Sequence, residues 1–282
     1  MKQVLGDNQF FGINHNDIEK GNKTKEQFGT DESIVEFIKK SISLGLNGFM
    51  LNSNERGFKI ISEIDFDETT EIHYSVPYPH KFATMVNENG MLHLLKHVLS
   101  NSTFNSLIRQ APKFIFSRNI KHLLPLIIDL EIPMNLKKGS YVYLQNIVTD
   151  LIIGLKREDL LLEYCKIIKK KGYKPGLITL NPSLLEKYVI SYPLDLQKDL
   201  IICFNINKSG FNVFPSKENV EEFIQTKHSF KKMGMSILSS GGVNNINDSL
   251  AYIKTLGLDY VVFGSSKIEN VENNHKTLAT EK

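Results

Sequence analysis

Apolar residues gather into short strand-like runs that alternate, almost to the end of the chain, with longer segments of helical period. The strand-like runs centre on Val4-Leu5, Gly48-Leu51, Ile72-Val76, Tyr141-Gln145, Gly176-Leu180, Leu200-Asn205, Ser236-Leu238 and Tyr260-Phe263. After the first run, Ile34, Ile38 and Ile42 recur every four residues behind Asp31, which can cap that helix. Asn181-Pro182 reads as an N-cap followed by proline at the first helical position. A helix at 159–171 ends in three lysines and Gly172, which suits its dipole and C-cap, and one at 247–256 ends at Gly257. Strands joined in this order by crossover helices lie parallel, and eight of them make an α/β fold of the (β/α)8 TIM barrel type.

The stretch at about 82–139 breaks the rhythm. It holds a helical pattern from Met91 to Val98, a polar break at Ser100-Asn101-Ser102, the apolar run Phe114-Ile115-Phe116, and a second helical pattern from Ile120 to Leu130. The eight strands are complete without it. It therefore reads as an enlarged third crossover inserted in one domain spanning 1–282, serving either as a lid beside the active face or as structural padding.

The length of 282 residues exceeds the roughly 250 of a bare barrel, so the size fits. The formal charge of +3 is small, and the runs Lys39-Lys40, Lys169-Lys170-Lys171 and Lys231-Lys232 fall at or near expected helix ends, where they complement dipoles. No aromatic platform accompanies them, so no nucleic-acid surface is expected. Cys165, on a helix, and Cys203, in a strand, read as small buried hydrophobes, and no metal spacing is present. From the polar opening and the short apolar stretches, neither a leader nor a membrane span is expected. The expectation is a cytoplasmic protein with a small-molecule substrate, without a membrane or nucleic-acid partner; the sequence does not set the oligomeric state.

In a parallel barrel the chemistry sits at the C-terminal ends of the strands. There the chain places Asp7, Asn8 and Gln9; Asn52, Ser53, Glu55 and Arg56; Tyr78, His80 and Lys81; Gln145 and Asn146; Asn181; Asn205, Asn207 and Lys208; and several serines. Amides donate and accept hydrogen bonds, so Asn8, Asn52, Gln145, Asn205 and Asn207, with the donor Arg56, form a candidate substrate rim for a sugar-like or phosphorylated molecule. Single asparagines in such turns also serve simply as helix caps. Ser239-Ser240-Gly241-Gly242 and Gly264-Ser265-Ser266 are glycine loops at the phosphate-prone end of a barrel, or else plain chain reversals. Lys208 is a candidate Schiff-base lysine, and His80-Lys81, behind Pro77 and Pro79, a candidate proton-transfer pair; either reads equally as surface charge. His15 lacks metal-binding companions, so no metal is expected.

The order of motifs resembles the aldo-keto reductase superfamily. Leu5-Gly6 with Phe11-Gly12 resembles its opening segment, and Ser43 to Met50 its second strand. The stretch from Asp159 to Asn181 resembles its fifth-strand segment, and Met233 to Gly242 its seventh strand and loop. The stretch from Asp259 to Asn274 resembles its closing segment. The resemblance implies a nicotinamide nucleotide, NAD(P)(H), contacted by Asn181, Ser265, Ser266 and Asn274, and the glycine loops with Ser239, Gly241, Gly242 and Gly264 are expected to take a nucleotide phosphate. The family's catalytic positions fall on Leu51, Arg56 and Asn146, with only a displaced lysine at Lys81. Its usual reductase activity is therefore expected to be missing or very low. Three readings stay open. One is an oxidoreductase-like enzyme of carbohydrate metabolism. Another is a phosphosugar lyase or isomerase using Lys208 or His80 and Lys81. The last is a non-catalytic ligand-binding barrel.

Overall fold

A computed structural model describes residues 1–12, 18–65, 67–77, 121, 124–132, 136–243 and 245–279. Strands β1 (Lys2–Leu5), β2 (Gly48–Asn52), β3 (Glu71–Val76), β4 (Tyr141–Leu144), β5 (Lys174–Thr179), β6 (Ile201–Asn205), β7 (Lys231–Met235) and β8 (Tyr260–Phe263) close into a parallel barrel in chain order. Closure is between β8 and β1, where Lys2 pairs with Tyr260 and Leu5 with Phe263.

Among the described residues the helices are α1 (Ile18–Gln27), α2 (Asp31–Ser43), α3 (Glu55–Glu63), α4 (Leu124–Glu131), α5 (Asn146–Gly154), α6 (Glu158–Lys170), α7 (Pro182–Val189), α8 (Leu194–Asp199), α9 (Lys217–Gln225), α10 (Ile246–Thr255) and α11 (Ile268–Ala279). α4 overlaps the second helical pattern expected in the third crossover. The pattern at Met91 to Val98 and the run Phe114 to Phe116 lie outside the described residues.

Three local expectations are corrected. The seventh strand is Lys231–Met235, not Ser236-Leu238. Ser236 has φ +56°, which ends the strand, while Gly234 fits inside it, because a Cβ there would meet Ile206 and Leu258 at 2.9 Å. Lys231 and Lys232 thus belong to a strand and not a helix end. Lys232 is buried, donating from Nζ to the carbonyls of Ile224 and Thr226 at the end of α9. Finally, Thr30 and not Asp31 caps α2, its side chain accepting from the Ser33 N–H.

Strand side chains alternate between two cores. Outward residues such as Leu5, Phe49, Leu51, Tyr74, Val142, Leu177, Phe204 and Phe263 pack with the buried stripes of the helices. Inward ones form a separate cluster of Val4, Tyr141, Tyr143, Ile178, Ile201, Cys203, Met233, Tyr260 and Val262. Gly176 makes room there for Tyr143, whose ring atoms lie 2.3 Å from where a Cβ would stand. His73, fully buried, stacks on Tyr141 with centroids 5.0 Å apart and shares a 2.8 Å hydrogen bond with the Tyr143 hydroxyl. Burial pushes its pKa down against the opposing pull of Glu71. Below it, the inward positions of the odd-numbered strands are charged: Lys2, Glu71, Lys174 and Lys231. Lys2 pairs with Glu71 at 2.7 Å and Lys231 donates to the Tyr141 hydroxyl at 3.0 Å.

Candidate functional site

At the opposite, C-terminal end of the lumen the inward residues turn polar. Alternation carries Asn52 at the end of β2, Gln145 just past β4 and Asn205 at the end of β6 toward the axis. β8 offers Gly264 at the matching place. The side chain of Gln9 fills the space that glycine leaves: its Oε1 lies 2.4 Å from where a Gly264 Cβ would be, and its Nε2 donates to the Gly6 carbonyl at 2.6 Å. Four carboxamides therefore stand at the mouth.

One of them, Asn52, closes over a buried acid. Asp7, 4% exposed, stands two residues past the end of β1. Its carboxylate accepts the Asn52 backbone N–H at 2.8 Å and the Asn52 amide at 2.9 Å. The Asn52 amide oxygen in turn accepts from Gln145 Nε2 at 2.5 Å. Burial raises the Asp7 pKa from 3.8 to about 6, although the bonds from Asn52 pull the other way. Such a carboxyl can take and return a proton near neutral pH. Ser75, inward on β3 and paired in register with Asn52, is 1% exposed, and its hydroxyl has no hydrogen-bond partner.

No family model and no curated protein sequence matches the chain. Solved structures do. A protein from Pseudomonas aeruginosa assigned to the aldo-keto reductases aligns with TM-score 0.59 and 13% identity, covering 98% of this chain and 89% of the other. The holo form of an aldo-keto reductase from Bacillus halodurans aligns with TM-score 0.55 and 9% identity over 99% and 87%. An aldose reductase from Giardia lamblia aligns with TM-score 0.51 and 10% identity over 100% and 88%. The fold is that of the aldo-keto reductases. At these identities the likeness is one of fold, and the chemistry has to be read from this chain's own residues.

Two of the residues that the resemblance put at the family's catalytic positions are turned to structural roles in this aldo-keto-reductase-like barrel. Leu51 faces outward into the core between sheet and helices. Arg56 sits on α3, where it pairs with Asp31 at 2.6 Å and donates to the Phe28 carbonyl at 2.8 Å, tying α3 to α2. Asn146 opens α5, one residue beyond the inward Gln145. His80 and Lys81, like Tyr78 and His15, lie outside the described residues. Lys208 is about half exposed and pairs with Asp248 at 2.5 Å, a solvated ion pair instead of the buried amine a Schiff base needs. Asn8 is exposed. Asn205 and Asn207 spend their amide N–H groups on the carbonyls of Asn212 and Phe211, at 2.8 and 2.9 Å.

The groups assigned to a dinucleotide are largely engaged inside the protein. Asn181 caps α7 by accepting from the Leu184 N–H at 3.0 Å. The Gly241 and Gly242 N–H groups donate to the carbonyls of Leu238 and Ser239, so they do not form the free anion cradle expected of this loop. Ser239 shares a 2.8 Å hydroxyl contact with Ser209. Ser265 bonds to the backbone of Lys267, the Ser266 carbonyl accepts from Gln27, and Asn274 is buried on α11. The loop at Gly241-Gly242 thus fits a dinucleotide phosphate poorly, whereas no bond within the protein takes up the backbone N–H groups of Gly264, Ser265 and Ser266 among the described residues. Among the described residues, no group of three His, Cys, Asp or Glu is placed to hold a metal ion.

Sequence reasoning named Asp7 and Gln9 only as rim members. What marks them is tertiary: one is a buried carboxyl bonded by Asn52, the other fills a gap left by a glycine more than 250 positions away.

Proposed function

We propose that this chain is an enzyme that moves a proton on a small polyhydroxylated carbonyl compound, sugar-derived or phosphorylated, with Asp7 as the acid–base group. The carrying observation is the Asp7 carboxyl, buried at the lumen mouth, bound to Asn52 and raised to about 6. As carboxylate it takes the proton from the carbon beside the carbonyl. The electron pair moves into the new carbon–carbon double bond and on to the carbonyl oxygen. The remaining amide hydrogen of Gln145 and the unpartnered Ser75 hydroxyl are the donors available to that oxygen. Returning the proton to the former carbonyl carbon, while the hydroxyl proton passes to the former carbonyl oxygen and the double bond to oxygen re-forms on the neighbouring carbon, gives the isomer. The surrounding amides suit hydroxyl groups on the rest of the ligand.

The test is solvent deuterium exchange, followed by NMR, with dihydroxyacetone, D-ribose and their phosphates. Wild-type protein is expected to wash deuterium into the position beside the carbonyl. Asp7→Asn should lower the rate about 10²–10⁴-fold, the usual cost of losing a positioned acid–base group. Absence of exchange with every probe, together with stoichiometric binding of NADH or NADPH, would overturn this reading in favour of an oxidoreductase.

A further inference from the structure

We infer that Gln9 is a specificity-determining residue, whose carboxamide oxygen accepts a hydrogen bond from a hydroxyl of the ligand, and that Gly264 is glycine to let it do so. This rests on the function proposed above and adds a contact to it. Gln9 lies in the short 3-10 helix Asn8–Phe11 that follows Asp7, so the residue that binds and the residue that transfers the proton are fixed by the same turn.

Its side chain is not free to wander. The residue is 8% exposed, and Nε2 is anchored on the Gly6 carbonyl at 2.6 Å. That anchor uses the donor end of the amide and turns the acceptor end, Oε1, toward Gly264. No hydrogen bond to Oε1 is made by any described residue. Gly264 itself is exposed at the mouth, so a ligand entering the lumen passes the spot where Oε1 stands. An orphan acceptor, locked in one rotamer beside an open position, selects a ligand that carries a donor there and rejects one that lacks it.

Gly264 is the second half of the device. Its backbone does not take the left-handed conformation that favours glycine, so turn geometry does not explain the residue. Space does: a Cβ would stand 2.4 Å from Gln9 Oε1, well inside contact distance, and the carboxamide would have to leave. The β-carbon missing just past β8 and the long amide reaching over from the turn after β1 are complementary. Together they supply on the eighth strand the carboxamide that Asn52, Gln145 and Asn205 supply on the second, fourth and sixth.

A double-mutant cycle read by the same exchange assay tests this. Gln9→Ala is expected to raise KM about tenfold, the weight of one neutral hydrogen bond, with kcat within about twofold. Gly264→Ala should do the same by displacing the amide. In the Gln9→Ala background Gly264→Ala should add nothing, because the group it displaces is gone. Thermal melting of each variant is followed alongside, and Gly264→Ala serves if Gln9→Ala fails to fold. Unchanged KM in both single variants, or fully additive effects in the double variant, would overturn the assignment while leaving the role of Asp7 standing. No exchange by the wild-type protein overturns both.

Discussion

The Asp7 carboxyl has a thermodynamic signature independent of any substrate. Its folded pKa, about 6, lies above the ordinary 3.8, so the folded state holds this proton more tightly than the unfolded chain does. The stability this contributes is fully present below about pH 3.8 and is lost as the pH rises through 6. The shift corresponds to roughly 3 kcal/mol. Asp7→Asn, which does not titrate, should therefore gain on the wild type by about that amount between acid and neutral pH. Chemical denaturation of both proteins across about pH 3–7 measures it, and a constant difference would show that the carboxyl is not perturbed. Little of this was legible in the sequence. Asp7 stands among polar neighbours in a Gly-Asp-Asn-Gln turn, and nothing local says that Asn52, 45 residues on, will close over it.

At the scale of elements the sequence spoke more clearly, because helix and strand signals are short-range. The periodicity of Ile34 and Ile38, the Asn181-Pro182 start and the Gly172 and Gly257 stops all correspond to observed features. The seventh strand was misplaced because Lys-Lys-Met-Gly-Met has no β-branched residue, while the apolar pair of Ser-Ile-Leu just after it looks more strand-like than it is. Arg56 was placed among the ligand-binding residues, but it lies on α3, beyond the reach of strand alternation, and is spent on Asp31 and the Phe28 carbonyl. Asn181 separates the two kinds of role. As the cap of α7, its replacement by alanine should cost about 1 kcal/mol of stability and leave turnover unchanged. Denaturation midpoints and exchange rates measured on Asn181→Ala decide this. Loss of turnover without loss of stability would return the residue to the ligand.

For the molecule as a whole, the alternation of strands and helices was enough to give the closed barrel, since parallel strands with crossover helices leave few other solutions. Closure creates a lumen that the sequence could not show as such. It is sealed at one end by paired charges, packed in the middle with rings, and lined by amides at the other. The rings give the protein a built-in optical gauge. The chain has ten tyrosines and no tryptophan, so its near-ultraviolet absorbance is dominated by phenols. Burial raises the ionisation of Tyr74, Tyr143, Tyr164, Tyr192 and Tyr260 above the ordinary value of 10. In the unfolded chain they lose their protons first, so the stability they contribute is present below pH 10 and drains away above it. An alkaline spectrophotometric titration should accordingly be biphasic. Accessible phenols would ionise early and reversibly, and the enclosed ones late, in one cooperative step that coincides with loss of circular dichroism. Phenolate colour would then report, without any label, the moment at which the ring of strands comes apart.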